Sequence, residues 1–264
     1  MDLKLQGKTV FISGSTAGIG LAVAQSMLGE GASVIVNGRT QASVDKAIRS
    51  LKASFPDADI SGVPIDFGDI ETLSAALGQL RGVDILINNV GIYKAEPFFE
   101  MSDADWQHQF EINVMSGVRL SRALLPGMLE KDWGRIVFVS SECALLVPPD
   151  MLAYSMTKTA MLAVSRGLAE MTQGTGVTVN AVLPGSTLSE GAERFLEEEA
   201  QRSGTDVQQV TQDFFTNVRP TSLLQRFAAV DEVAHTITYL SSPLAAATNG
   251  AAIKIDGGST GGIV

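Results

Sequence analysis

Tyr154 and Lys158 stand four positions apart in this 264-residue chain. On a helix that spacing puts both side chains on one face, one turn apart. A free phenol has a pKa near ~10, too high for proton transfer near neutrality. An ammonium group fixed beside it favours the phenolate and brings that value down. Such a pair can act as a general acid or base near the operating pH. Thirteen residues upstream, the apolar run 135–139 ends in Ser140 and Ser141. A strand there would place Ser141 at its carboxyl end, where open α/β sheets bind ligands. Long helices also carry Tyr-x-x-x-Lys by chance, so the pair takes its meaning from its surroundings.

A second group of residues speaks of phosphate. The apolar run 9–13 feeds into Gly14-Ser15-Thr16-Ala17-Gly18-Ile19-Gly20, and a helical pattern follows over 21–30. Glycines let the backbone turn tightly and approach a ligand with no Cβ in the way. The helix N-terminus behind them offers free N–H groups and a positive dipole end to a pyrophosphate. About ~20 residues further on, a dinucleotide-binding unit declares its coenzyme. The strand pattern 33–37 ends there in Gly38-Arg39, with no carboxylate between Gly31 and Gln41. A guanidinium suits the 2′-phosphate of NADP, so NADP(H) is expected over NAD(H). A solvated arginine, with Asn37 serving NAD, is the competing reading. On the first reading, Gly38→Asp with Arg39→Leu should reverse the preference.

These residues need elements to hold them. Further strands are expected over 60–65, 83–87, 135–139, 177–182 and 252–255, making seven with 9–13 and 33–37. Helical patterns cover 41–54, 70–80, 102–131, the segment from Tyr154 to about 172, and 231–241. Ser102 is a fitting N-cap, and Pro126 predicts a kink or break in the 102–131 helix. Asn113, mid-helix, reads by itself as a satisfied buried amide. A charged, helical-looking excursion occupies 188–226 and carries the acidic run 197–199, best read as a solvated face. Alternation of strand and helix predicts one α/β domain over 1–264, a doubly wound seven-stranded parallel sheet with helices on both faces. Asp66-Phe67, Asn88-Asn89-Val90-Gly91 and Pro184-Gly185-Ser186-Thr187 then all fall at carboxyl ends of strands.

Composition narrows the function classes. Apolar residues make up 45% and charged residues 18%, as in a globular protein with a sizeable core. A net charge of −10 disfavours a nucleic-acid surface. Cys143, His108 and His235 do not amount to a transition-metal ligand set, so no metal is expected. No apolar run is long enough to span a bilayer, and the first residues lack the apolar core of a signal peptide. A cytoplasmic protein without membrane or nucleic-acid partners is the expectation.

Over residues 7–258 the chain resembles the short-chain dehydrogenase/reductase family. The resemblance rests on Gly14/Gly18/Gly20, Asn88-Asn89-Val90-Gly91 (valine standing for the family's alanine), and the ordered set Asn113, Ser141, Tyr154 and Lys158. It implies hydride transfer between a nicotinamide and a carbonyl or secondary alcohol. In that scheme Tyr154 is the general acid/base and Ser141 holds the substrate oxygen. Lys158 binds the nicotinamide ribose, and Asn113 supports a proton-relay water. The same resemblance assigns Ser15, Thr16, Ile19, Phe67, Asn89, Val90 and Gly91 to the cofactor cleft. Asp66 is assigned to the adenine, and Pro184, Gly185 and Thr187 to the carboxamide. It also implies a homotetramer or homodimer built on two long helices. Two alternatives remain: a 3-oxoacyl-carrier-protein reductase, disfavoured by the acidic charge, and a noncatalytic dinucleotide sensor, disfavoured by the intact tetrad. Tyr93, Leu145, Leu146, Val147, Met151, Phe195, Phe214 and Phe215 are expected to rim the pocket and suit a small, fairly apolar carbonyl or alcohol.

Overall fold

The computed structural model describes residues 2–263. In chain order come β1 (Thr9–Ile12), α1 (Gly18–Gly29), β2 (Ser33–Gly38), α2 (Gln41–Ser54), β3 (Ile60–Pro64), α3 (Ile70–Leu77) and β4 (Ile85–Asn88). Then follow α4 (Asp103–Phe110), a π-helical turn (Glu111–Met115), α5 (Ser116–Glu130), β5 (Gly134–Val139), α6 (Leu152–Glu170) and β6 (Val177–Pro184). The chain continues through β7 (Thr187–Leu188), α7 (Glu190–Ser203), α8 (Val207–Asp213), a second π-helical turn (Phe214–Val218), β8 (Ala228–Ala229), α9 (Val230–Leu240) and β9 (Ala252–Ile255).

Seven strands form one sheet in the order β3-β2-β1-β4-β5-β6-β9, and every neighbouring pair is parallel. Strand order reverses between β1 and β4, so the crevice for a ligand opens beyond their carboxyl ends. The alternation of side chains along each strand feeds two cores. Val137 and Val139 pack with α1, α2 and α9 residues such as Val23, Met27, Val44 and Ile237. Ile136 and Phe138 pack with α3, α5 and α6 residues such as Leu73, Leu120, Leu124 and Met161. Helices on both faces explain why β5 and β6 are buried at every position.

The region 102–131 is expected to be one helical stretch with a kink or break at Pro126. Ser102 does cap α4, accepting from the Asp105 N–H, yet α5 runs on through Pro126. A helical proline frees the carbonyl four residues back, here that of Arg122. Both Pro126 and Arg122 lie on the exposed face, where solvent can satisfy it. The irregularity falls instead on the π-helical turn containing Asn113. The excursion leaves and re-enters the domain through a small parallel pair, Thr187 with Ala228 and Leu188 with Ala229. It has its own apolar centre of Leu196, Ala200 and Val210, with Phe227 packed against it.

Helix α2 lies tightly on β3 at Gly62. A Cβ there would run into Val44 Cγ1 and approach Ile48 Cδ1 and Val36 Cγ2 at 3.1 Å. Valine is stiff about χ1, so Gly62→Ala should destabilise by about 1–3 kcal/mol. The expected readout is a lower urea midpoint at unchanged slope; an unaltered midpoint would mean that α2 shifts freely.

Candidate active site

The glycine turn is built from the inside by buried polar side chains. Ser13 donates from Oγ to the Ile87 carbonyl at 3.3 Å and accepts from the N–H groups of Asn89 (2.9 Å) and Val90 (3.0 Å). Asn89 Nδ2 donates to the carbonyls of Ser13 and Gly14, both at 2.9 Å. Gly14 and Gly18 have φ of +64° and +56°, the left-handed region that glycine enters without penalty. At Gly20 a Cβ would stand 2.6 Å from Asn89 Nδ2 and collide with the Gly14 carbonyl. The side chain of Ser15 turns inward, donating to the Ile12 carbonyl and accepting from Asn37 N–H. Thr16 and Ile19 remain half-buried along the turn.

Asn37, the residue left open for an NAD ribose, is engaged elsewhere. Its Oδ1 accepts from Gly14 N–H at 2.8 Å and its Nδ2 donates to the Val63 carbonyl at 3.0 Å. It is 1% exposed. Its work is to fasten β2 and β3 to the glycine turn. Arg39 is exposed at the end of β2. At Gly38 the exchange expected to reverse coenzyme preference would require Ser43 and Thr16 to move. A Cβ there would stand 2.6 Å from both Ser43 Oγ and Thr16 Cγ2, and Ser43 belongs to the capping box of α2 with Thr40. On β3's side, exposed Asp66 accepts from Gly68 N–H at 2.9 Å, while the Phe67 ring is buried in the core. Only the main chain of Phe67 is left for a ligand.

Asn113, Ser141, Tyr154 and Lys158, expected as a tetrad, lie near the carboxyl ends of β4 and β5. The two hydroxyls after β5 divide their work. Ser140 Oγ donates to the Lys158 carbonyl at 2.8 Å, fixing α6 to the strand. Ser141 Oγ accepts from Cys143 N–H at 3.1 Å and lies close enough to Tyr154 to favour its phenolate. The Tyr154 ring packs edge-on against Tyr93 with centroids 6.1 Å apart. Lys158 Nζ lies 5.5 Å from the Tyr154 ring centroid and donates to the Val139 carbonyl at 2.9 Å. Asn113 receives Ile92 N–H on Oδ1 and donates from Nδ2 to the Ile92 carbonyl, both at 2.8 Å. The same Nδ2 donates to Thr157 Oγ1 at 3.0 Å, whose hydroxyl donates to the Tyr154 carbonyl at 2.7 Å. A Cβ on Gly91 would sit 3.3 Å from Lys158 Nζ and 3.6 Å from Asn113 Oδ1, so glycine keeps that cleft open.

Electrostatics here depart from the simple expectation that Lys158 brings the phenol down. Burial pushes Tyr154 above its ordinary value, opposed by the nearby Ser141 hydroxyl. Burial also brings Lys158 down to about 8. Each group is held toward its neutral form because desolvation penalises charge.

Pro184 and Gly185 close β6. A Cβ on Gly185 would lie 2.7 Å from Asp256 Cα and 2.8 Å from Glu142 Oε2. Thr187 Oγ1 donates to the Gly185 carbonyl at 3.0 Å. The excursion sets two charged residues against this region that the sequence did not flag. Glu190 Oε2 accepts from Gly18 N–H at 2.8 Å, and Arg219 Nε donates to Glu142 Oε1 at 2.6 Å. Glu142, a lone charge ahead of the apolar stretch 143–147, was the available signal. Of the expected pocket aromatics, Phe214 and Phe215 pack with Phe227, centroids 5.1 and 5.2 Å away. Tyr93, Leu145, Val147 and Phe195 are exposed, while Leu146 and Met151 are half-buried.

The residues present fit a dinucleotide. The first turn of α1 already receives an anion, the Glu190 carboxylate, on the Gly18 amide, as a phosphate would require. Gly20 keeps a side chain out of the turn. Among the described residues no three His, Cys, Asp or Glu side chains gather as a metal site, and no helix is long and apolar enough to cross a membrane.

Comparison with known proteins agrees with this arrangement. The short chain dehydrogenase family model matches residues 8–200. The uncharacterized oxidoreductase YvaG of Bacillus subtilis is 45% identical over 258 residues, covering 98% of each chain. The 3-oxoacyl-[acyl-carrier-protein] reductase FabG of Aquifex aeolicus is 31% identical, covering 98% of this chain and 99% of its own. The L-sorbose reductase of Gluconobacter frateurii, solved with NADPH and L-sorbose, superposes with a TM-score of 0.94 at 32% identity over the whole of both chains.

The depressed Lys158 ammonium has a consequence for stability. Below about pH 8 both native and unfolded states carry the proton and the native state bears the full desolvation penalty. Between there and the ordinary 10.5 the native state releases its proton first, so stability rises with pH. Relative to Lys158→Met, the wild type should gain about 2 kcal/mol between roughly pH 7 and pH 9.5. Paired urea melts across that range measure it, and parallel curves for the two proteins would refute it.

Proposed function

The chain belongs to the short-chain dehydrogenase/reductase family, and on that premise we propose an NADP(H)-dependent reductase of a small carbonyl compound, or dehydrogenase of the matching alcohol. The observation that carries the proposal is the meeting of Ser141, Tyr154 and Lys158, with Lys158 Nζ 5.5 Å from the phenol ring at the rim of the glycine-turn crevice. When bound, the coenzyme supplies the hydride. Tyr154 carries the proton for the carbonyl oxygen, and its raised pKa keeps that proton in place until charge develops there. Ser141 donates to the same oxygen and stabilises the developing charge. Lys158 supplies positive charge as the phenol gives up its proton, and holds the ribose hydroxyls.

Both ends of the Asn113 amide are engaged, so we assign it the positioning of Tyr154 through Thr157 and of the loop at Ile92. A relay water toward Lys158 would be held by the main chain of the π-helical turn. Gly14, Ser15, Thr16, Gly18, Ile19 and Gly20 form the pyrophosphate turn, and Glu190 yields the Gly18 amide to the phosphate. Asn89, Val90 and Gly91 line the crevice beside it, and Asp66 with the Phe67 main chain faces the adenine. Pro184, Gly185 and Thr187 receive the carboxamide.

The exposed Tyr93, Leu145, Val147 and Phe195 favour an apolar substrate. The 3-oxoacyl-carrier-protein activity of the Aquifex relative is the alternative, and a charge of −10 works against an acidic partner. A cytoplasmic homotetramer or homodimer fits the exposed Phe110 and Met156 on α4 and α6.

Tyr154→Phe keeps the ring and removes its proton. Turnover should fall at least ~100-fold, with NADPH binding nearly unchanged by fluorescence titration; wild-type turnover on a good ketone would end the mechanism. A panel of apolar ketones, polyhydroxy ketones and 3-oxoacyl thioesters then ranks the substrate classes.

Coenzyme choice is tested at Arg39 alone, since Gly38 cannot take a side chain without disturbing the α2 cap. NADPH should exceed NADH in kcat/KM. A charge-assisted hydrogen bond contributes about 1.5–3 kcal/mol, so Arg39→Leu should lower the ratio about 10- to 150-fold. An unmodified enzyme that works better with NADH would make Arg39 a solvated side chain and no more.

A further inference from the structure

Arg219 ends the second π-helical turn, inside the excursion, yet it is buried at 8% exposure. Its Nε donates to Glu142 Oε1 at 2.6 Å, its Nη2 approaches Cys143 Sγ at 3.9 Å, and its Nη1 donates to the Val218 carbonyl at 3.0 Å. The guanidinium also lies 5.9 Å from the Phe214 ring. One planar fork therefore reaches two consecutive residues, 142 and 143, of the segment that follows β5. Those residues form the 3-10 turn Glu142–Ala144. Its Cys143 N–H is the group that donates to Ser141 Oγ. With that lone pair occupied, the serine hydrogen is free to turn toward a reacting oxygen.

Stability alone does not call for a carboxylate here. Glu142 is 3% exposed, and its Oε2 has no hydrogen-bond partner among the described residues. An apolar pair of similar volume is often as stable as a buried ion pair or more so. What the pair adds is direction, because a guanidinium presents its donors in a fixed plane.

We infer that Arg219 is a positioning residue for Ser141: from within the excursion it holds the turn that aims the serine hydroxyl, so that the substrate-facing lobe and the catalytic strand end are set together. This rests on the reading of Ser141 as the group that binds the substrate oxygen.

The test is a mutant cycle with stability measured alongside. Arg219→Met should lower kcat about 10- to 100-fold, the scale of a slightly misplaced catalytic group, and leave the NADPH dissociation constant within about twofold of wild type. In a Ser141→Ala background the same substitution should lower kcat no further, since residues acting through one another are non-additive. The pair Glu142→Leu with Arg219→Met should regain the wild-type melting temperature without regaining kcat. Arg219→Lys, which keeps the charge but not the fork, should stay folded and remain slow. The inference is overturned if kcat is unchanged in Arg219→Met or Arg219→Lys. It is equally overturned if kcat returns with stability in the apolar pair, or falls again in full on the Ser141→Ala background. If Ser141→Ala itself turns over normally, the reading of Ser141 fails first, a result distinct from any of these.

Discussion

A parallel sheet covered on both faces leaves backbone donors and acceptors stranded where its strands stop, and an unpaired buried polar group is expensive. This chain answers at the carboxyl edge with short polar side chains. Ser13 ties β1 to the segment after β4, Asn37 ties β2 and β3 to the glycine turn, and Ser140 ties β5 to α6. Asn89 braces the turn from the far side. The same residues that seal the sheet edge give the cleft its shape. A change at any of them would disturb both.

Much of this was legible. Strand and helix alternation required a doubly wound sheet, and helix α2 begins and ends where its periodicity placed it, at Gln41 and Ser54. Local signals such as Ser102 as a cap also held, because they depend on a few neighbouring residues. Tertiary facts did not show. A break was one of the two outcomes read at Pro126, because sequence alone does not say that Arg122 faces solvent. Gly38 looked like an open place for a carboxylate because nothing local discloses Ser43 and Thr16 against it. Asn113 read by itself as a satisfied buried amide, and it is one, but only the folded chain brings Ile92 and Thr157 to it, and Gly14 and Val63 to Asn37. Nor does sequence show that Phe214 and Phe215 pack on Phe227, which lies across the excursion.

The tetrad shows why identity of residues and electrostatic state must be read separately. The residue types announced an acid/base pair, but the balance of forces on them depends on burial. Lys158 is almost completely enclosed and turns its ammonium toward the Val139 carbonyl rather than the phenol oxygen. Its charge is thus a held reserve, close to the ring but without a direct ionic partner among the described residues. The π-helical turn carrying Asn113 serves this arrangement by admitting one more residue per turn than an α-helix, which brings an amide inward between Ile92 and Thr157.

The two-residue clasp of β7 with β8 has a meaning for how such a chain can change over time. It brings the departure and return of residues 189–227 side by side, so the length between them is weakly constrained. Doubling a closed loop adds only about 0.6 kcal/mol of closure entropy. Insertions, deletions or wholesale replacement can therefore accumulate in this lobe while the sheet and its cleft stay as they are. Descendants of one scaffold could diverge in what they accept by exchanging a single contiguous stretch of chain. The condition, if Arg219 positions Ser141 as inferred above, is that each replacement brings a guanidinium back to Glu142.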